Sequence, residues 1–303
     1  MSFRDILGKR LIIADGAMGT QLQAAGLALG EAPINWNLSH PDVVSRIHRD
    51  YLEAGASLLT TNTFTAGTLI LAGQEALAKE IIETGVTLAT EAVKASGHEA
   101  FVALDIGPLG RLLEPLGDLA FDTAADTVAF QIEIGETAGA DLILIETMID
   151  AKELRAALTA ARRVSDLPVV ASVALNNVGR MLDGTDISSI AAVAEELGAD
   201  AIGINCGAGP MEVAPFIEEF SKTSGLPLVL NPNAGMPIVT GDTLSYPVEA
   251  SEYAALMEPL VLEYAAIAGG CCGTTPAHIK ALAECLAQTA AGLDISNRVR
   301  QVG

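Results

Sequence analysis

Aromatic residues are scarce, at 4% of 303 residues with a single Trp. A cage of rings around a quaternary ammonium is therefore poorly supported by this chain. Basic residues are also few. Lys and Arg number 17 against 38 Asp and Glu, for a formal charge of -21. A surface of that sign repels phosphate backbones, so nucleic acid is excluded as an expected partner. The acidity itself reads as solubility, with halophilic adaptation or a basic partner as alternatives. No apolar run approaches the roughly 20 residues a membrane span needs, which excludes a membrane partner of that kind. The opening Met1-Ser2-Phe3-Arg4-Asp5 lacks the apolar stretch of a secretory leader. Four cysteines are too few to staple a chain of this length. A reducing cytoplasm is the expected location.

What is present is repetition. Half of the residues are hydrophobic, enough for a large core. Eight short apolar runs rich in β-branched residues fall at 11–14, 57–61, 101–105, 142–146, 169–175, 201–205, 228–231 and 264–268. Each is apolar on both faces, as a buried parallel strand should be. Amphipathic stretches separate them. The segment 41–54 opens with Pro41 and stops at Gly55, and 187–197 stops at Gly198. Thr275-Pro276 reads as N-cap and first helical residue of a last helix through Leu286. Eight strand–helix units without a linker predict an α/β chain with one (β/α)₈ TIM barrel over 1–290. A doubly wound sheet is the rival. A weakly patterned tail occupies 291–303.

A barrel sends every strand's C-terminal end to one face, where such enzymes keep their sites. The unusual residues follow that rule. Asp15 follows the first strand, Glu146 closes the fourth, Cys206 the sixth, and Cys271-Cys272 the eighth. Three thiolates at strand ends can hold a zinc ion and leave its fourth position open, the mark of a catalytic rather than a structural metal. Three buried structural cysteines are the alternative. Flanking glycines favour ligation. Adjacent cysteines both face inward only if the strand is distorted, which Gly269-Gly270 permits. Cys285 lies mid-helix and reads as a core or interface residue.

The turn Asp15-Gly16-Ala17-Met18-Gly19-Thr20 is neither a dinucleotide fingerprint nor a phosphate loop. It is a tight strand-to-helix turn, or a set of backbone N–H groups receiving a carboxylate, with Asp15 available for an ammonium. Glu146 ends a very apolar run and needs a partner, a structural Arg or, as favoured here, a substrate amine. His40, His48, His98 and His278 sit away from strand ends and are not assigned to the metal. Met18 reads as packing. Trp36, Tyr246 and Tyr253 are candidates to line a donor pocket. The stretch 241–252, punctuated by Gly241 and Pro247, reads as a lid-like loop.

Asp-Gly-Ala-Met-Gly-Thr, Thr-Asn-Thr-Phe, Asp-Ile-Gly-Pro, Ile-Glu-Thr, Gly-Ile-Asn-Cys, Pro-Asn-Ala-Gly and Gly-Gly-Cys-Cys-Gly-Thr-Thr-Pro occur in this order. The set resembles the homocysteine S-methyltransferase family from about residue 11 to 286. It looks most like the homocysteine-binding domain of cobalamin-dependent methionine synthase, with betaine and S-methylmethionine enzymes as cousins. The resemblance implies zinc on Cys206, Cys271 and Cys272, with the homocysteine sulfur as a further ligand. It implies Asp15 and Glu146 on the amino group, and Asn233 with the backbone of Gly16, Ala17 and Met18 on the carboxylate. Thr65 stands where the animal betaine enzymes carry Tyr. A methylated corrinoid, supplied in trans by a protein or domain, is thus the expected donor, with betaine, S-methylmethionine or another thiol acceptor as alternatives. A non-catalytic metal- or thiol-binding barrel is the rival class.

Overall fold

Runs that are apolar on both faces have no stable place except inside, and the chain builds its centre from them. The computed structural model describes residues 2–28, 30–240 and 243–289. Its eight parallel strands are β1 (Ile12–Ile13), β2 (Leu58–Thr60), β3 (Phe101–Ile106), β4 (Leu142–Met148), β5 (Val169–Val173), β6 (Ala201–Asn205), β7 (Leu228–Asn231) and β8 (Ala265–Ala268). Their order is β1-β8-β7-β6-β5-β4-β3-β2. An Ala14–Leu58 bridge brings β1 back to β2. Ser57 N–H donates to the Ile13 carbonyl at 2.7 Å and Asp15 N–H to the Leu58 carbonyl at 2.9 Å across that seam. The sheet returns on itself as a (β/α)₈ barrel, not a doubly wound sheet.

Two apolar layers result. Ala103, Leu142, Leu144, Val170, Ala201, Val229 and Ile267 fill the lumen together with Phe3 and Ile6 of the short helix Phe3–Ile6. That helix plugs the N-terminal end of the barrel. Phe3 meets Phe101 edge to face at 5.4 Å, and Arg4 pairs with Asp200 at 2.7 Å. The second layer packs the strands' outer faces against the helices, as Val128, Ile132, Leu154, Ile190 and Ile217 show. Each large apolar side chain so buried contributes about 1.5–3 kcal/mol before conformational entropy is counted.

Two elements differ from expectation. β4 runs past its apolar residues to Met148, and its pairing with β5 shifts register between Ile145 and Met148. That bulge frees Glu146 and Thr147 from the ladder. The supposed lid over 241–252 is not one loop. Ile238–Thr240 and Thr243–Ser245 pair as an antiparallel hairpin, and helix Ala250–Glu263 already holds the last residues of the stretch. Between them Val248 is tied down: its N–H donates to the Ala234 carbonyl at 3.1 Å, and its carbonyl meets His278 Nε2 at 2.9 Å. Gly241 lies outside the described residues, as does the tail 291–303. The last helix, Pro276–Thr289, extends three residues beyond Leu286.

Candidate functional site

Gly269 and Gly270 follow β8 because nothing larger fits. A Cβ on Gly269 would lie 2.6 Å from the Asp15 carbonyl oxygen, and one on Gly270 2.5 Å from the Thr274 side chain. The tight passage turns both Cys271 and Cys272 toward the mouth. Thr274 locks the turn: its N–H and its hydroxyl both donate to the Cys271 carbonyl, at 3.1 and 2.7 Å. Opposite them, Cys206 leaves β6 with φ +58°, a left-handed backbone for a residue with a Cβ. Such strain costs on the order of 1–3 kcal/mol and collects at functional sites. Here it aims the thiol at the other two. Cys206 Sγ lies 3.8 Å from Cys272 Sγ, and the three sulfurs lie within 4.8 Å of one another.

A tetrahedral zinc with Zn–S bonds of about 2.3 Å sets its sulfurs about 3.8 Å apart. The thiol spacing fits that ion. The electrostatics agree, because three thiols this close share protons rather than ionise together. Hydrogen bonds from Cys206 and then Cys271 pull Cys272 down to about 3. Cys271 is pushed well up by its hydrogen bonds to Cys206 and Cys272 and by burial. A cation is the group that would let all three be thiolates. Cys285 stands apart and half-buried on the last helix.

Beside the thiols, carboxylates converge. Asp15, Asp105 and Glu146, at the ends of β1, β3 and β4, line one cavity of about 350 Å³ with the three cysteines. Burial raises all three. Asp15 is pushed to about 7, and Glu146 to about 8 by burial and then the charges of Cys206 and Asp15. Asp105 is pushed well up by burial, then by Glu146 and Asp15. Their partners differ. Asp15 accepts from the Thr60 N–H and hydroxyl, both at 2.8 Å. Asp105 Oδ1 is buried without a partner. Three acids with no base among them are suited to an ammonium.

Asn205, the last residue of β6, joins the two groups. Its Nδ2 donates to Glu146 Oε2 at 3.3 Å and Thr147 Oγ1 at 2.7 Å, and lies 3.9 Å from Cys271 Sγ. Its Oδ1 accepts from the Thr147 N–H and the Ser172 hydroxyl, both at 2.8 Å. Thr147 needs that hold, since its φ is +60°.

Of the residues expected here, Asp15, Gly16, Ala17, Met18, Glu146, Cys206, Cys271 and Cys272 line the cavity together. Asn233 does not. It is buried with an unpaired Oδ1 just beyond β7, and Asn231 lines the cavity instead. Ala17 N–H is already given to Thr274 Oγ1 at 3.1 Å, which narrows the backbone donors of that turn. Trp36 and Tyr253 are not among the residues that line this cavity. Trp36 stacks on His40 and donates to Glu31 at 2.9 Å, while the Tyr253 hydroxyl donates to the Gly269 carbonyl at 2.7 Å. Tyr246 covers Gly273 and hydrogen-bonds Cys272 from outside the cavity. Asp105, Asn205 and Asn231 went unassigned in the sequence, yet each is a polar residue ending or nearly ending an apolar run, the same signal that marked Glu146.

Known proteins are similar in sequence and fold. The methionine synthase of Mycobacterium tuberculosis (strain ATCC 25618 / H37Rv) is 35% identical over 301 residues, 93% of this chain and 25% of that protein. That of Mycobacterium leprae (strain TN) is 34% identical over 301 residues, 94% of this chain and 25% of that protein. The chain thus spans about a quarter of the length of these relatives. Among solved structures, the oxidized form of the Escherichia coli homocysteine methyltransferase MmuM superposes with a TM-score of 0.78 at 25% identity, covering 93% of this chain and 97% of that one. Its metallated form, at 24% identity and a TM-score of 0.76 over 91% of this chain and 96% of that one, shares the fold. The family profile of homocysteine S-methyltransferases matches residues 12–286, nearly the whole barrel, and the chain belongs to that family.

Proposed function

We propose that the chain transfers a methyl group to the thiol of homocysteine, giving methionine. The observation that carries this reading is one cavity holding three converging thiols beside three buried carboxylates. Cys206, Cys271 and Cys272 would hold zinc, which supplies the positive charge that keeps an acceptor sulfur ionised at neutral pH, well below the ordinary thiol value of about 8.5. Glu146, Asp105 and Asp15 would take the acceptor's ammonium, with Asp15 fixed in place by Thr60. Asn205 orients Glu146. The thiolate then attacks the donor's methyl carbon in line. An S–C bond forms, and the electron pair of the breaking bond stays with the donor.

The donor proposed is a methylated corrinoid, brought by a protein or domain in trans. Among the described residues Phe64 is the one aromatic side chain lining the cavity, and Thr65 beside it offers a hydroxyl where a cation cage needs a ring. Betaine and S-methylmethionine are the alternatives. A matrix of acceptors and donors tests the reading: homocysteine and other thiols, each with a methylated corrinoid protein, methylcobalamin, betaine and S-methylmethionine. Methionine should form with the corrinoids. Rapid turnover with betaine and none with corrinoids would overturn the donor, and no product from homocysteine with any donor would overturn the acceptor.

A further inference from the structure

Asn205 is fully buried at the end of β6, and its neighbours fix which way its amide points. The Thr147 backbone N–H faces one amide atom at 2.8 Å. A backbone N–H can only donate, so that atom is the oxygen. The Ser172 hydroxyl donates to it as well, at 2.8 Å. The NH₂ group is thereby turned toward Glu146, Thr147 and Cys271.

An amide nitrogen carries two N–H donors, and three acceptors stand around this one. Thr147 Oγ1, at 2.7 Å, holds the first. The second has two claimants, Glu146 Oε2 at 3.3 Å and Cys271 Sγ at 3.9 Å. Neither is a tight bond: N–H···O bonds centre on about 2.9–3.0 Å, and the sulfur is farther still. Long contacts to two acceptors are the pattern of one shared N–H. Glu146 belongs to the carboxylates and Cys271 to the thiol cluster, so the sharing joins the two halves of the site. How the N–H divides depends on the acceptors. A thiol sulfur accepts weakly. A metal-bound sulfur carries negative charge, and charge strengthens the bond it accepts. A stronger sulfur draws the N–H from Glu146 and leaves a lone pair of Oε2 to another donor.

We propose that Asn205 couples the metal and ammonium subsites: a metal bound at Cys271 tilts the shared N–H toward the sulfur and opens Glu146 Oε2 to an ammonium. This rests on the zinc and ammonium readings above and adds an order to them, since the metal prepares the amine site before the acceptor arrives. Asn205 is a positioning residue, acting through Glu146 and Cys271. Its oxygen, pinned by Thr147 and Ser172, keeps the amide beside Glu146 while the bond shifts. The coupling is reciprocal, so an occupied amine site tightens the metal by the same factor.

2-Aminobutyrate, the homocysteine skeleton without its sulfur, reports on the ammonium site alone. In NMR titrations of the full chain it should bind the zinc-loaded form at least about fivefold more tightly than the metal-free form. Saturating 2-aminobutyrate should raise zinc affinity by the same factor, read by competition with a chelator. Asn205→Asp keeps the oxygen that Thr147 and Ser172 hold and loses the NH₂ group, whereas Asn205→Leu loses both. The two variants differ in charge and shape, and in each the gain on zinc loading should be lost. A gain kept in both variants, or no gain in the parent, overturns the coupling and leaves the ammonium reading standing. A parent that binds 2-aminobutyrate in neither form overturns the ammonium reading and the coupling with it. Should the variants not fold, the parent decides. Loaded with an NMR-active isotope of cadmium, a soft metal that takes thiolate ligands, it should show scalar coupling between the Asn205 side-chain N–H and the metal through the Cys271 sulfur. No such coupling with the metal bound overturns the proposal.

Discussion

Glu146 holds a carboxyl where ionisation is expensive, and two predictions follow from its raised value of about 8. An ordinary glutamate titrates near about 4.3. Folded chain therefore binds this proton more tightly than unfolded chain, and the stability of the metal-free protein falls as pH rises from about 4 toward about 8. Glu146→Gln removes that share of the slope. Its thermal midpoint should gain on the parent between pH 5 and pH 8.5, and scanning calorimetry at the two pH values measures the difference. A gain that did not grow with pH would mean Glu146 is not the group titrating. In the zinc-loaded chain the same substitution should cost homocysteine about 1.5–3 kcal/mol of binding, the loss of a charge-assisted hydrogen bond, with metal content unchanged. The thiols give the complementary result. Cys206→Ala, Cys271→Ala and Cys272→Ala should each abolish stoichiometric zinc, whereas Cys285→Ala should retain it; metal analysis after dialysis decides. Full zinc in Cys272→Ala would remove that residue from the site.

Between elements, Asn205 is the strap that holds the β4 bulge to β6. Asn205→Leu keeps the volume but leaves the Thr147 N–H, the Ser172 hydroxyl and Glu146 without their partner. Unsatisfied buried groups cost about 1–3 kcal/mol each, so urea unfolding should show a lower midpoint and an unfolding free energy reduced by that order, with weaker homocysteine binding. An unchanged midpoint would show that Thr147 keeps its φ of +60° without the strap. This strap also marks what the sequence could and could not convey. The strands were legible because runs such as Leu142–Ile145 are apolar on both faces, and the thiols because each sits where a run stops. Asp105 and Asn205 obey the same rule and were within reach. Asn233 is placed on the carboxylate by the resemblance alone, because strand alternation does not extend past Asn231, where β7 ends. The plug helix Phe3–Ile6 is four residues long, too short for a 3.6-residue period to show. The hairpin of Ile238–Thr240 and Thr243–Ser245 was within reach, since Gly241-Asp242 between the two runs is a dipeptide of the kind that joins hairpin strands. The sharing of one Asn205 N–H between Glu146 and Cys271 exists only once the neighbours are in place.

At the scale of the whole molecule, the most exposed large apolar side chains among the described residues are unevenly placed. Leu116, Val178, Leu182, Met211, Met236, Ile238 and Val239 are all exposed, with Val239 at 73% and Leu182 at 68%. They lie on the connections that follow β3, β5, β6 and β7, an arc along one side of the mouth. On a chain with formal charge -21, apolar side chains on these connections would offer the proposed donor protein a contact surface. A methyl group on a bulky cofactor must come within reacting distance, about 3–3.5 Å, of a sulfur held inside the barrel. The protein that brings it must therefore cover the mouth and displace water there. Val178→Asp combined with Val239→Asp puts charge on two separate connections of the arc without touching the cavity. Turnover with a methylated corrinoid protein should fall at least about tenfold, as for the loss of buried contacts at the centre of an interface. Turnover with free methylcobalamin and homocysteine affinity should stay as in the parent. Steady-state rates with the two donors, measured side by side, separate docking from chemistry. Equal loss with both would place the damage in the barrel itself, and no loss with either would move the donor's footprint to the β1, β2 and β8 side of the mouth.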